Sequence, residues 1–193
     1  MIILCSMMNF FVAPVNSLRP LFVTNYLGGD VLKLGWLGTA FGVGVIAGGL
    51  ILGAWGGFKR RIFTCLIGLM IWGISITAFG FTTESLFFMG LALMLIAGFS
   101  LTMNNASVGA ILQATVARDM QGRVFTLVGS VAGAMTPLGL VVAGPTADAI
   151  GIRWIYFIAG GAFLVITPLA LFSRQMMNLE NHPAEEKSVE ETK

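Results

Sequence analysis

Two groups of polar residues interrupt apolar stretches of this chain. Their side chains could bind a ligand through hydrogen bonds or charge. They are Asn9, Asn16 and Arg19 in the first stretch, and Ser100, Asn104 and Asn105 in a later one. Amides and hydroxyls both donate and accept hydrogen bonds, whereas a guanidinium donates to an anion. At ~100° per residue of a helix, Asn9 and Asn16 share a side, with Arg19 beside them. These six residues either bond to neighbouring helices or line a polar cavity.

The composition places these residues in a membrane. The chain is 56% hydrophobic and 10% charged, whereas soluble domains carry roughly 25% charged residues. Six stretches have the ~20 residues needed to cross a bilayer. We label them A to F, at about 2–27, 34–55, 62–81, 86–112, 123–147 and 152–173. The sequence predicts an all-α membrane protein with six transmembrane helices over residues 1–175, and a disordered cytoplasmic tail over 176–193.

The loop between B and C carries three consecutive cations, Lys59, Arg60 and Arg61. Loops on its side of the predicted bundle carry three more, whereas the other side carries only Lys33 and Arg153. The positive-inside rule therefore makes this side cytoplasmic, together with both termini. The residues that we assign to these loops, as topology signals or conformational contacts, are Gly53, Gly56, Gly57, Lys59, Arg60, Arg61, Arg118, Asp119, Gly122 and Arg123.

Arg19 is the only charge well inside a predicted span, and Pro14 and Pro20 stand on either side of it. Proline removes a backbone donor, so helix A is expected to be kinked or locally unwound. Side chains in a helix lean toward its N-terminus, which here points deeper into the bilayer. We therefore interpret Arg19 as lining a water-filled cavity, with snorkelling to the membrane surface as the alternative.

Small residues spaced four apart are concentrated in helices B and E. In lipid such residues let helix backbones approach closely, because apolar burial supplies no driving force there. We assign a packing role to Gly38, Gly42, Gly44, Gly48, Pro137, Gly139, Gly144 and Pro145.

Several kinds of chemistry are not predicted. The only histidine, His182, lies in the tail, and the six spans contain no Asp, Glu or His. Cys5 and Cys65 both lie inside apolar stretches, which is typical of small packing residues. We therefore predict no catalytic residues, no metal or other cofactor, and no nucleic-acid partner.

Two further motifs carry a family resemblance: Gly122-Arg123-Val-Phe, and Met135-Thr-Pro-Leu-Gly139 followed by Ala143-Gly-Pro-Thr-Ala-Asp148. Together with six helices and a short basic loop after the second, they resemble the carboxy-terminal half of a major facilitator superfamily transporter. Trp55–Arg61 is similar to the drug:proton antiporter branch, which includes macrolide-efflux-type permeases. That family often carries an acid before the cations of this loop, where this chain has Gly56-Gly57-Phe58.

The resemblance implies a fold of two inverted three-helix repeats, A–C and D–F. Helices A and D would line a central cavity, C and F would lie outside it, and B and E would pack against an amino-terminal six-helix half. It also implies a bacterial plasma (inner) membrane location and the export of a small amphipathic substrate by alternating access. The alternative is a non-transporting remnant or assembly partner.

Overall fold

The computed structural model describes residues 2–56, 61–117 and 119–172, and within these ranges all regular structure is helical. The α-helices are α1 Ile2–Ser17, α2 Arg19–Tyr26, α3 Val31–Trp55, α4 Arg61–Gly80, α5 Phe87–Thr115, α6 Gln121–Ile150 and α7 Ile152–Phe172. A short 3-10 turn, Glu84–Leu86, precedes α5. The predicted tail lies outside the described residues, as do Gly57, Lys59, Arg60 and Arg118.

Helices α3 to α7 are each long and apolar enough to cross a membrane. Their bounds lie within a few residues of the predicted helices B to F. A chain in lipid must satisfy its backbone polar groups internally, so a long apolar run has an α-helix as its stable conformation. The predicted all-helical membrane class is confirmed. The described chain contains five spans of this kind and not six, because the first stretch does not form one continuous helix.

That first stretch is divided at Leu18, between α1 and α2. The amide of Leu18 donates to the carbonyl of Pro14 at 2.9 Å, and that of Phe22 donates to Leu18 at 2.9 Å. Pro20 has no N–H, so it cannot donate to the carbonyl of Asn16 four residues earlier. The interruption that the two prolines predict is therefore present, at the second of them.

The helices pack in a small set of pairs. Helix α3 runs along α5, α4 lies between α5 and α7, and α1 runs along α6. Helix α4 is the most buried of the five spans. An aromatic cluster joins α2, α4 and α7, with the Phe22 ring centroid 5.1 Å from that of Phe79 and 4.6 Å from that of Tyr156. The core of the described bundle therefore surrounds α4.

Side-chain contacts divide the loops between two ends of the bundle, which we call the Lys33 end and the Arg61 end. At the Lys33 end, Lys33 Nζ donates to the carbonyl of Leu27 at 2.7 Å and pairs with Glu84 at 3.1 Å. Arg153 donates to the carbonyl of Thr82 at 3.2 Å at this end. The predicted loops thus alternate between two ends, and which end is cytoplasmic stays a prediction.

At the Arg61 end, side chains close the C-terminus of α5. Arg61 Nη1 donates to the carbonyl of Ala110 at 2.7 Å. Gln121 Nε2 donates to the carbonyls of Gln113 at 3.1 Å and Val116 at 3.2 Å. The last carbonyls of a helix have no partner within it, and a nearby cation also complements the helix dipole. These contacts fix α4 and α6 against the end of α5.

Candidate functional site

Arg19 begins α2 immediately after the break and is half-buried. One guanidinium nitrogen, Nη2, donates to Oδ1 of Asn16, and the guanidinium carbon lies 5.2 Å from the centroid of the Phe41 ring of α3. Its Nε is buried and has no hydrogen-bond partner among the described residues. The one ion pair within those residues is Lys33–Glu84, so no carboxylate there neutralises Arg19. A guanidinium with a free donor is suited to bind an anionic group.

The two asparagines of α1 differ in their surroundings. Asn16 is exposed and lies next to Arg19, so these two predicted cavity residues are brought together. Asn9 is half-buried, and its Nδ2 donates to the carbonyl of Cys5 at 3.0 Å in its own helix. A donor engaged in this way is already satisfied without a ligand. Asn9 as a cavity residue stays a prediction.

The sequence left two roles open for Ser100 and Asn104, cavity lining and contact with a neighbouring helix, and their surroundings favour the second. Both are fully or almost fully buried, at 0% and 1% exposure. The Cys65 thiol of α4 donates to Asn104 Oδ1 at 3.0 Å, and Ser100 Oγ donates to the carbonyl of Ala97 at 3.0 Å. Gly68 lets α4 approach closely, because a Cβ there would lie 3.2 Å from the carbonyl oxygen of Ser100. These two polar residues therefore belong to the contact between α4 and α5.

Asn105 differs from its neighbour and is exposed. At ~100° per residue it lies on the flank of α5 that also carries Gly98 and Gly109. A Cβ at Gly98 would overlap the carbonyl oxygen of Phe41, the residue whose ring faces Arg19. Gly98 therefore lies at the contact of α5 with α3, whereas Asn105, seven residues further along α5, is exposed.

The predicted packing glycines fall into two classes. Three meet a neighbouring backbone: Gly44 and Gly48 face Leu95 and Phe99 of α5, and Gly139 faces Phe10 of α1. For the others, a Cβ would have no described atom within 4 Å, and these are Gly38, Gly42 and Gly144. Gly48, predicted to lie on the surface that meets another half, instead packs inside this one. Pro137 and Pro145 lie within α6 and are exposed.

The open glycines fall on one side of each of two helices, and we call these sides the glycine faces. That of α3 consists of Gly35, Gly38, Gly42 and Gly53, and that of α6 of Gly122, Gly129, Gly133 and Gly144. Some bulky exposed residues lie roughly 100° or more away on the same helices, such as Trp36 and Val43 on α3 and Leu138 and Val142 on α6. Two others, Ile46 on α3 and Leu140 on α6, share the direction of the glycines. Bulky apolar flanks suit lipid, whereas small residues suit close approach of another helix.

The predicted loop residues that the structure describes are mostly at the surface. Gly56 has a φ of +75° and ends α3, with its N–H donating to Leu52 at 2.7 Å. Arg61 contacts the carbonyl of Ala110. The rest are exposed, and they are Gly53, Asp119, Gly122 and Arg123.

Sequence reasoning missed the aromatic partner of Arg19 and the contacts at the Lys33 end. Phe41 is one of many aromatic residues in apolar stretches, and nothing in its spacing distinguishes it. Arg153 lies with its guanidinium carbon 4.3 Å from the centroid of the Tyr26 ring. The sequence did show that Arg153 lies next to a predicted loop on the less basic side. Counting the charges of the loops, however, does not identify the residue that each charge contacts.

Several apolar helices of spanning length pack around a common core, as in a multi-pass membrane protein. A guanidinium and an amide, those of Arg19 and Asn16, lie at the break between α1 and α2. The chain belongs to the Major Facilitator Superfamily, whose family model matches residues 1–193. Membership confirms the predicted family, and it assigns the chain to membrane transport and not to an enzyme class.

Three relatives illustrate the likeness. Macrolide efflux protein A of Streptococcus pyogenes is 28% identical over 171 residues, which cover 89% of this chain and 42% of the relative. Macrolide efflux protein A of Enterococcus faecalis is 31% identical over 131 residues, covering 68% and 41%. Multidrug efflux pump Tap of Mycolicibacterium fortuitum is 28% identical over 148 residues, covering 77% and 36%. The chain thus spans about two-fifths of the length of the relatives that it matches.

Proposed function

We propose that this chain forms one six-helix half of an efflux transporter and exports amphipathic compounds together with a complementary half. The observation that carries the proposal is the pair of glycine faces on α3 and α6, which meet nothing within the described chain. More than half of the matched relatives' length lies outside the match. We infer that helices from this further region cover the glycine faces.

A sixth span is part of the proposal. Cys5 of α1 packs with Leu112 and Val128, which lie toward the Arg61 end. Leu27, which follows α2, accepts a hydrogen bond from Lys33 at the opposite end. Helices α1 and α2 therefore run together from one end to the other, and they act as one interrupted span. Interrupted spans are common at the binding sites of secondary transporters.

The packing pairs support two inverted repeats. In that scheme α1 with α2 corresponds to α5, α3 corresponds to α6, and α4 corresponds to α7. Exchanging the two repeats then turns the contact between α3 and α5 into the contact between α6 and α1. The same exchange turns the contact between α4 and α7 into itself. All three pairs pack extensively. The remaining pair departs from the scheme, because α4 packs extensively against α5 whereas α7 touches α1 and α2 only sparingly. Repeats of this kind allow the two halves to rock around a site between them, which is alternating access.

Arg19 is the residue of this half to which we assign a charge-dependent role. Its guanidinium stays protonated at physiological pH, so it cannot carry the proton of an antiporter. The described spans hold no acid beside it. We propose that the proton-carrying acid belongs to the complementary half and faces Arg19 and Asn16. The names of the relatives make macrolides and other drugs the substrates to test first.

A chimaera tests the proposal. This chain replaces the matched part of the Streptococcus pyogenes relative, and accumulation of a labelled macrolide is measured in cells that lack their own macrolide export. The intact relative and the chain alone are the positive and negative controls. We expect the chimaera to lower accumulation and the chain alone to match empty cells. A chimaera that reaches the membrane and leaves accumulation unchanged would favour the non-transporting alternative.

A further inference from the structure

A cavity of about 140 Å³ lies where α1, α6 and α7 meet. Its lining includes Phe10 and Phe11 of α1, Val142 and Thr146 of α6, and Ile158 and Ala159 of α7. Helices α1 and α7 touch only sparingly here, with the rings of Phe11 and Phe163 5.9 Å apart. We call this cavity the lateral pocket. It lies apart from Arg19 and from both glycine faces.

The lining of the lateral pocket is almost entirely apolar. Its one polar side chain is Thr146, whose hydroxyl already donates to the carbonyl of Val142 at 2.7 Å. A buried water needs two to four polar partners, and apolar cavities of about 150 Å³ stay dry and bind apolar guests. The pocket therefore has the size and chemistry for a hydrocarbon group and offers nothing to hold water.

The mouth of the pocket is continuous with the lipid-facing surface. Val142 and Ile158 stand at its rim and are 54% and 45% exposed. On α6, Val142 lies roughly 170° from the centre of the glycine face. The complementary half would thus cover the opposite side of the helix. The hydrocarbon in contact with this surface is the bilayer itself.

We propose that the lateral pocket is a lipid site, which holds part of one acyl chain of a membrane phospholipid. The occupant enters between α6 and α7 and contacts Phe10 and Phe11. It fills the space that the sparse contact between α1 and α7 leaves, and so it completes the packing of α7. Its presence does not require the transport activity proposed above.

The test is photolabelling of the complete protein in nanodiscs that contain a phospholipid with a diazirine near the middle of one acyl chain. After irradiation and proteolysis, mass spectrometry locates the labelled residues. We expect label on Phe10 or Phe11, which line the pocket and are half-buried, whereas the rim residues are exposed. Label confined to exposed residues such as Val142, Ile158 and Val165 would overturn the proposal.

Two variants and a matched control sharpen the result. Ala159→Phe fills the pocket from within, where Ala159 is 2% exposed, and Val142→Trp obstructs the rim. The rim variant adds no buried volume, so it remains informative if Ala159→Phe fails to fold. Val165→Phe is the control, on the same helix at 62% exposure. We expect label on the Phe10–Pro14 segment to fall about tenfold in either pocket variant, the effect of excluding roughly two methylene groups.

Competition separates a resident lipid from a transported compound. An excess of a macrolide is added before irradiation. A lipid site keeps its label, because the lateral pocket and the proposed transport site are different places. Loss of the label in proportion to added macrolide would assign the pocket to the exported compound and overturn the lipid proposal.

Discussion

Glycines occur both at the tight contact between α3 and α5 and on the two glycine faces, which contact no other described helix. At Gly44, Gly48 and Gly98, the backbones of α3 and α5 approach so closely that a Cβ would meet the facing main chain. At Gly42 and Gly133, a Cβ would meet nothing within 4 Å among the described residues. A small residue in a membrane helix therefore indicates a close contact but does not say with which partner. The internal contacts hold the described helices together, and we propose that the open glycines contact the complementary half.

The largest expected effect is at an internal contact. Gly44→Leu places a side chain against the main chain of Leu95 and Phe99, which cannot move aside without separating α3 from α5. We expect a loss of about 3 kcal/mol in stability, at the upper end for overpacked sites. The measurement is the midpoint of unfolding in a detergent titration. Gly42→Leu, two residues away at an open position, should leave that midpoint unchanged, and an equal loss there would remove the distinction between the two classes.

The next largest effect is expected on efflux, from substitutions in the glycine faces. The pair Gly42→Leu and Gly133→Leu should leave this half folded but keep the complementary half at a distance. We expect efflux by the chimaera to fall about tenfold, which corresponds to ~1.4 kcal/mol of docking energy. Val43→Leu, on the bulky flank of α3 at 49% exposure, is the matched control. Normal efflux from the double variant would mean that the glycine faces contact lipid.

Arg19 contacts the ring of Phe41, the residue next to Gly42, and has one donor without a partner among the described residues, so we expect its replacement to affect transport and not folding. Arg19→Gln removes the charge and keeps hydrogen-bonding groups, whereas Arg19→Lys keeps the charge. In the glutamine variant alone, we expect efflux driven by a pH gradient to fall. The decrease should be on the order of five- to tenfold, which corresponds to a loss of about 1 kcal/mol or more of interaction energy. Everted vesicles with an imposed gradient give the measurement. Coupled flux from the unpaired chain would contradict our assignment of the acid to the other half.

The smallest effect separates two adjacent asparagines. Asn104→Leu removes the acceptor for Cys65 inside the α4–α5 contact, and interhelical hydrogen bonds in membranes are worth about 0.6 kcal/mol on average. We expect a decrease of that size in stability. Asn105→Leu, at an exposed site, should leave stability unchanged and alter efflux instead. Equal stability losses for both variants would place Asn105 inside a contact as well.

The sequence was sufficient to predict most of the helices, because lipid leaves an apolar run few conformations. The bounds of α4 and α7, Arg61–Gly80 and Ile152–Phe172, differ from the predicted ones by no more than one residue at each end. The divided first stretch was also foreseeable, since Pro20 lacks the donor that a continuous helix needs. Family membership followed from the motifs at Gly122 and Met135 and is shown by comparison.

The candidate site was harder to predict, because helical periodicity gives a residue's direction but not what stands there. Ser100 and Asn104 share a face that could have bordered a cavity. It is occupied by α4 because Gly68 and Cys65 allow a close and hydrogen-bonded contact. Gly48 similarly has the same spacing as the open glycines. Its direction on the helix differs by roughly 120° from that of Gly42, but only the position of α5 shows which of the two directions another helix occupies.

The break at Leu18 allows the short helix α2 to tilt relative to α1. Bending there strains one backbone hydrogen bond fewer than elsewhere in a helix, since the one between Asn16 and position 20 cannot form. A tilt of about 20° would move the far end of this eight-residue helix by roughly 4 Å and leave its root almost stationary. Arg19 is at that root and Tyr26 is at the tip. Because displacement grows with distance from the break, such a tilt would change the stacking of Arg153 on the Tyr26 ring, at 4.3 Å, more than it would move the guanidinium of Arg19.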